Sequence, residues 1–334
     1  MRIARIARVL LFAVLAGLLV AGALAWQWYR APLPLPQSPF DFEVKPGATL
    51  GSVARELAAA GAVPQPLALI ALARVTHADR SIKAGSYEIE QGITLPQLLA
   101  KLTQGDVTQT TLTIVEGTTF AELRDGLRHN ADVRPTLLDL SDAELLARLG
   151  ASEPSPEGAF FPDTYFFAAG SNDAALLRRA YRAQHDRLER AWTKRSPDLP
   201  LSNAYEALIL ASIVEKETGR ASDRPLVASV LVNRLRRGMR LQSDPTVIYG
   251  LGPKFDGNLR KRDLESDTPY NTYTRDGLPP TPIAFVSQAS LDAVVNAPAT
   301  DYLYFVSRGD GTSEFSTNLT DHKRAVSKYQ RGAR

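Results

Sequence analysis

Along residues 40–102 the spacing of apolar positions changes from two to about three and a half and back. Phe42, Glu43 and Val44 alternate as a short strand, and Pro46 with Gly47 is a turn signal. Val53, Leu57 and Ala58 share one helical face, and Gly61 ends that helix. A second helix runs through Leu67–Ala73, residues 83–89 turn into a second strand, and a third helix covers Leu95–Leu102 after Thr94. Gly105 and Asp106 close the unit.

The chain restarts with a strand over Thr111–Val115 that turns at Glu116 and Gly117. A mostly helical segment follows to Gly150, with Leu137, Leu138, Leu145 and Leu146 as core. Residues 157–165 are aromatic and turn-like, and residues 174–192 form a basic amphipathic helix. Asn203 followed by Glu206 predicts a capping box, hence a helix over 204–218 with Gly219 as its stop. At 100° per residue Ala207, Leu210, Ala211 and Val214 make one apolar stripe. Val227–Leu235 is a further helix, and glycines 309 and 311 mark a hairpin turn.

Composition narrows the class. With 334 residues, 44% of them hydrophobic, the chain has room for two or three folded domains. The net charge of +3 is too mild to imply nucleic acid, and the absence of cysteine excludes disulfides and thiolate chemistry. At the N-terminus Arg2, Arg5 and Arg8 precede an uncharged apolar run from Val9 to Ala25, followed by Trp26, Trp28 and Tyr29. That is the pattern of a membrane span with its N-terminus in the cytoplasm and an interfacial aromatic belt. Ala23-Leu24-Ala25 also fits a signal-peptide cleavage site. Either way the body of the protein is expected outside the cytoplasm, joined through the proline-rich spacer Ala31–Pro36.

The chemistry concentrates at the end of the 204–218 helix, in Glu215-Lys216-Glu217-Thr218. Glu217 falls beside Leu210 on the apolar side, whereas Glu215 lies further round near Leu208. An acid at the end of an apolar helix is costly to ionise, so it keeps its proton near neutral pH and serves as a general acid. The same position also suits two ordinary solvated acids at a helix end. Residues 241–250, 269–273 and 277–283 supply the Tyr, Asn, Thr and Pro of a sugar-binding cleft, where rings stack on pyranose faces and amides bond to hydroxyls. His77, His129, His185 and His322 lack metal-ligand spacing and read as surface or core residues, so no metal or other cofactor is expected. Ser212 has no nucleophile-elbow context.

The strand–helix–helix–strand order of residues 41–106 resembles a LysM-like, peptidoglycan-binding module. Ala211–Thr218, Asp244–Gly250, Tyr270–Tyr273, Gly277–Pro280, Gly158–Tyr165, Tyr302–Val306 and Thr317–Leu319 together resemble the YceG-like (MltG-type) endolytic murein transglycosylases. The resemblance spans residues 40–330. It departs at Ala159, where a bulkier residue is expected, and at Lys323, where the family tends to have Asn after His322.

The resemblance implies cleavage of MurNAc–GlcNAc β-1,4 bonds in nascent glycan strands, with formation of 1,6-anhydroMurNAc and an end to strand growth. Glu217, second Glu of the E-K-E-T motif, would be the catalytic acid. Asp244, Thr246, Tyr249, Asn271, Tyr273 and Asn318 would bind substrate. The expected fold class is α+β: a single N-terminal transmembrane helix, a small LysM-like module and a larger YceG-like catalytic domain. The boundaries are a cytoplasmic tail (1–8), a transmembrane anchor (9–28), a proline-rich linker (29–40), the LysM-like module (41–106) and the catalytic domain (107–330). Expected partners are peptidoglycan glycan strands, the cell inner membrane and glycan synthases, with no nucleic acid. Two alternatives stay open: a non-catalytic peptidoglycan-binding scaffold, and a hydrolase with Asp244 or Glu215 as second carboxylate.

Overall fold

In the computed structural model two short strands, β1 (Phe40–Val44) and β2 (Gly85–Ile89), pair antiparallel with Phe40 opposite Ile89 and Val44 opposite Gly85. The structure describes Gly17, Trp26, Gln27 and residues 29–45, 47–79, 81–104 and 109–331. The expected tail and the expected anchor over 9–28 lie outside these, save for Gly17, Trp26 and Gln27. Among the described residues no helix is long and apolar enough to cross a membrane. The chain divides into two compact units, Met1–Thr111 with Phe166–Ser171, and Leu112–Tyr165 with Asn172–Arg334.

In the first unit the two strands are covered by α1 (Leu50–Ala59), α2 (Pro66–Val75) and α3 (Leu95–Gln104). The period of two sends Phe40, Phe42 and Val44 inward from β1, and Tyr87 and Ile89 inward from β2. They meet Val53, Leu57, Leu69, Leu98 and Leu102 from the helices in one core. Thr49 and Ser52 form a reciprocal capping box at the start of α1.

Next along the chain, β3 (Gln109–Thr113) pairs with β5 (Thr164–Ala168), and short β4 (Val133–Arg134) pairs with β6 (Ser171–Asn172). The strand expected over 111–115 thus begins and ends two residues earlier. β5 begins at the end of the 157–165 stretch that reads as turn-like and runs on into residues for which the sequence predicts no element. In the second unit, helices α4 (Phe120–Arg128) and α5 (Asp142–Leu149) both start with capping boxes, Thr119 with Glu122 and Ser141 with Glu144. The long α6 (Asp173–Thr193) then leads to α7 (Ala204–Glu217), α8 (Arg224–Arg236), α9 (Asp244–Leu251), the short α10 (Lys261–Glu265) and α11 (Gln288–Val295). The hairpin of β7 (Tyr304–Ser307) and β8 (Ser313–Ser316) follows, and then the helix α12 (Leu319–Val326).

α7 is the axis of this unit. Every residue from Ala207 to Val214 is buried, so the single stripe read from the sequence is a helix covered on all sides, with α6, α8, α9 and α11 against it. Its N-cap differs from the expected box in one respect. Asn203 accepts from the Glu206 N–H at 2.9 Å, but the Glu206 carboxylate reaches back to the Ser202 N–H at 2.7 Å. The helix ends at Glu217, one residue short of expectation, because Thr218 is extended at φ −149°. Gly219 is therefore not a left-handed stop.

Candidate active site

Burial of α7 delivers Glu217 from the core to the wall of a cavity of about 560 Å³. Arg234 from α8, Gln242 and Asp244 at the entry to α9, Tyr273, Tyr304 from β7 and His322 from α12 share that wall, with Leu231, Leu241, Phe305 and Leu319 between them. The carboxyl of Glu217 accepts a 2.6 Å hydrogen bond from the Ser243 hydroxyl. Its pKa is pushed up to about 7, mainly by burial and further by the negative charge of Asp244; the Ser243 hydrogen bond and the Arg234 cation pull the other way. The result is a carboxylic acid that holds its proton to neutrality and releases it readily there.

Arg234 is buried and held in place by backbone carbonyls: its Nε donates to Leu303 O at 2.7 Å and its Nη1 to Leu241 O at 2.9 Å and Arg240 O at 3.2 Å. The same nitrogen reaches Gln242 Oε1 at 3.2 Å, and the guanidinium lies 5.1 Å from the Tyr304 ring centroid. Gln242 has a positive φ of 50°, a strained conformation for a residue with a side chain. Asp244 accepts from the Tyr273 hydroxyl at 2.5 Å. His322 stacks on Tyr304, with centroids 5.0 Å apart.

Of the expected site residues, Glu217, Asp244 and Tyr273 come together in this cavity. Thr246 and Asn271 are fully buried behind it. The Thr246 hydroxyl bonds to Ser243 O at 2.7 Å and to the Thr272 hydroxyl at 2.9 Å, while the Asn271 amide donates to Ser266 O at 2.7 Å and Leu264 O at 3.0 Å. Tyr249 points elsewhere. Its hydroxyl donates to the buried carboxyl of Glu157 at 3.0 Å, and its ring meets Tyr270 edge-on at 4.8 Å. Asn318 is exposed at the N-cap of α12, accepting from the Asp321 N–H at 3.0 Å.

Glu215 turns to a different neighbourhood. It accepts from the backbone N–H of Ser287 at 3.0 Å and from its hydroxyl, with Arg224 3.9 Å away. Lys216 donates to Gly117 O at 2.9 Å. Gln242 and Ser243 lie in the 241–250 stretch that reads from the sequence as part of the cleft, but the sequence singles out neither. Arg234, Tyr304 and His322 are not expected in the site at all. Arg234 is hidden among Arg236 and Arg237, with only its spacing of three from Leu231 to mark it as inward. His322 reads from the sequence as an ordinary surface or core histidine, and the structure puts it in the cavity.

The model of the YceG-like family matches residues 42–328, and the chain belongs to that family. It is 31% identical over 264 residues to an endolytic murein transglycosylase of Bacillus subtilis, covering 74% of this chain and 73% of that protein. An endolytic murein transglycosylase of Streptococcus pneumoniae is 28% identical over 283 residues; this chain spans about half (51%) of its length. Among solved structures, a yceG-like protein from Listeria monocytogenes matches with a TM-score of 0.51 at 26% identity, covering 85% of this chain and 98% of that one. The mixed α+β architecture expected from the sequence is the one observed.

Proposed function

We propose that this protein is an endolytic murein transglycosylase, a lyase that cuts MurNAc–GlcNAc β-1,4 bonds of peptidoglycan. The carrying observation is Glu217: a carboxyl with a pKa of about 7, in a polar cavity, at the end of a helix buried on all sides. The relatives named endolytic murein transglycosylase support the same activity.

Glu217 donates its proton to the oxygen that bridges MurNAc C1 and GlcNAc C4. The C1–O bond breaks and GlcNAc leaves with a free 4-hydroxyl. The C6 hydroxyl of the same MurNAc attacks C1, closes the 1,6-anhydro ring and returns its proton to the Glu217 carboxylate. No water is consumed. The nucleophile is tethered to the electrophile, so effective molarity replaces the second carboxylate that hydrolysis needs. In the cavity the Asp244 carboxylate and the Tyr273 oxygen, whose hydrogen is given to Asp244, offer acceptors, and Arg234 offers charge, to sugar hydroxyls and amides.

The remaining parts of the reading rest on sequence. The N-terminal apolar run would tether the enzyme to the inner membrane with its catalytic part outside the cytoplasm. The LysM-like order of residues 41–106 would hold glycan, and nascent strands beside glycan synthases would be the substrate.

The test is incubation of the full chain, in detergent, with uncrosslinked glycan strands, followed by mass spectrometry of the new ends. Products one water lighter than hydrolytic ones, absent with Glu217→Gln, are expected. Because Asp244 shares the cavity with Glu217, a two-carboxylate hydrolase is the competing reading, and hydrated reducing ends would establish it. Glycan binding without any product would instead establish a scaffold.

A further inference from the structure

Ser243 is 1% exposed, so its hydroxyl hydrogen must find a protein acceptor. Among the described residues the acceptor it reaches is Oε1 of Glu217, at 2.6 Å. With Oε1 receiving that bond, the acid's own proton is left to Oε2. We propose that Ser243 is the positioning residue of the catalytic acid: it pins Oε1, commits Oε2 to the glycosidic oxygen, and stabilises the carboxylate that remains after the proton has gone. This rests on the transglycosylase reading of Glu217.

The surroundings of Ser243 are built to hold it. Its N–H donates to the Thr272 hydroxyl at 3.0 Å, and its carbonyl accepts from Thr246 at 2.7 Å. Thr246 and Thr272 bond to each other at 2.9 Å, and the Gln242 N–H donates to Thr272 O at 3.1 Å. The D-P-T and Y-N-T-Y segments therefore lock onto each other with Ser243 at the join. This gives the two buried threonine hydroxyls a purpose that contact with sugar does not.

The other groups around Glu217 are accounted for. Asp244 on α9, Arg234 on α8, Tyr273, Tyr304 on β7 and His322 on α12 share its cavity. α6 and α11 present apolar residues to α7, among them Leu188, Ala191, Leu291 and Val294. On α7 itself Glu215 is turned to Ser287, and Lys216 to Gly117.

The test compares wild type with Ser243→Ala, Ser243→Thr and Ser243→Cys, the last keeping the shape with a weak donor. Turnover on glycan strands is followed against pH, and the Glu217 carboxyl is titrated directly by infrared difference spectroscopy, with Glu217→Gln to assign its band. The acid form is the active one, and the Ser243 bond lowers its pKa. Without that bond the alkaline limb and the carboxyl titration both move up, by about one pH unit. Ser243→Ala should lose about 10- to 100-fold in kcat with KM little changed, and Ser243→Thr should restore most of it. A kcat loss with an unmoved carboxyl titration would make Ser243 merely structural and overturn the proposal, as would an unchanged kcat. The titration needs no turnover, so it stands apart from any failure to find anhydro products.

Discussion

Glu215 and Glu217 stand two residues apart at the end of α7, yet one is tied to Ser287 at the start of α11 and the other to Ser243 in the cavity wall. Two positions on a helix are about 200° apart, so a carboxylate pair close in sequence faces opposite sides. Glu217→Gln should lower cleavage by about a thousandfold or more while the protein stays folded. Glu215→Gln should keep kcat within a few-fold but cost about 1–2 kcal/mol of stability, because Ser287 loses a charged acceptor. Turnover assays with urea titrations check both, and the reverse pattern would move the catalytic role to Glu215.

A second carboxyl, Glu157, also has its pKa pushed up to about 7, chiefly by burial, although the Phe120 N–H and the Tyr249 hydroxyl bond to it. Its folded pKa lies above the unfolded value, so its contribution is fully present below about 4.5 and is lost as pH rises through about 7. On this account the protein loses on the order of 3 kcal/mol between those pH values from Glu157. Glu217 adds a fall of the same sign, so Glu157→Gln should flatten the decline of Tm with pH without abolishing it. An equally steep fall in the variant would assign the pH dependence to other groups.

Much of this is legible in the sequence. Alternation at Phe40, Phe42 and Val44 marks β1, the Asn203 cap marks α7, and the apolar run before Glu217 marks the acid. What escapes depends on contacts far apart in the chain. α9 lies in a stretch that reads only as cleft, with no helix assigned to Asp244, Pro245 and Thr246, although proline is well suited to a first helical turn. Tyr249 resembles a sugar-stacking ring until Glu157, ninety-two positions (92) away, is found to claim its hydroxyl. Arg234 looks like its neighbouring arginines until the carbonyls of Leu241 and Leu303 close on it.

Gly158 tests the packing against the 281–285 segment. Its φ is +74°, and a Cβ there would lie 2.6 Å from Cβ of Pro282. Gly158→Ala must therefore strain the backbone and displace the 281–285 segment, which is tied to α7 through the Ile283 N–H to Ser212 bond at 3.0 Å. A loss of about 2 kcal/mol or more is expected. A urea midpoint equal to wild type would show that the segment moves aside freely.

Arg234 and Asp244 act on the proton of Glu217 with opposite sign, and that makes them a paired test. Asp244 raises the acid's pKa and Arg234 lowers it. Asp244→Asn should move the alkaline limb of activity to lower pH, since a like charge is removed. Arg234→Met should move it to higher pH, since the cation is gone. Arg234→Met also leaves the carbonyls of Leu303, Leu241 and Arg240 without their donor, at a cost of about 3 kcal/mol. Arg234→Lys separates these effects: it keeps the charge, and so the limb, while losing the fixed fork and part of the stability. Limbs that shift in the same direction for Asp244→Asn and Arg234→Met would show that through-space charge does not set the acidity of Glu217.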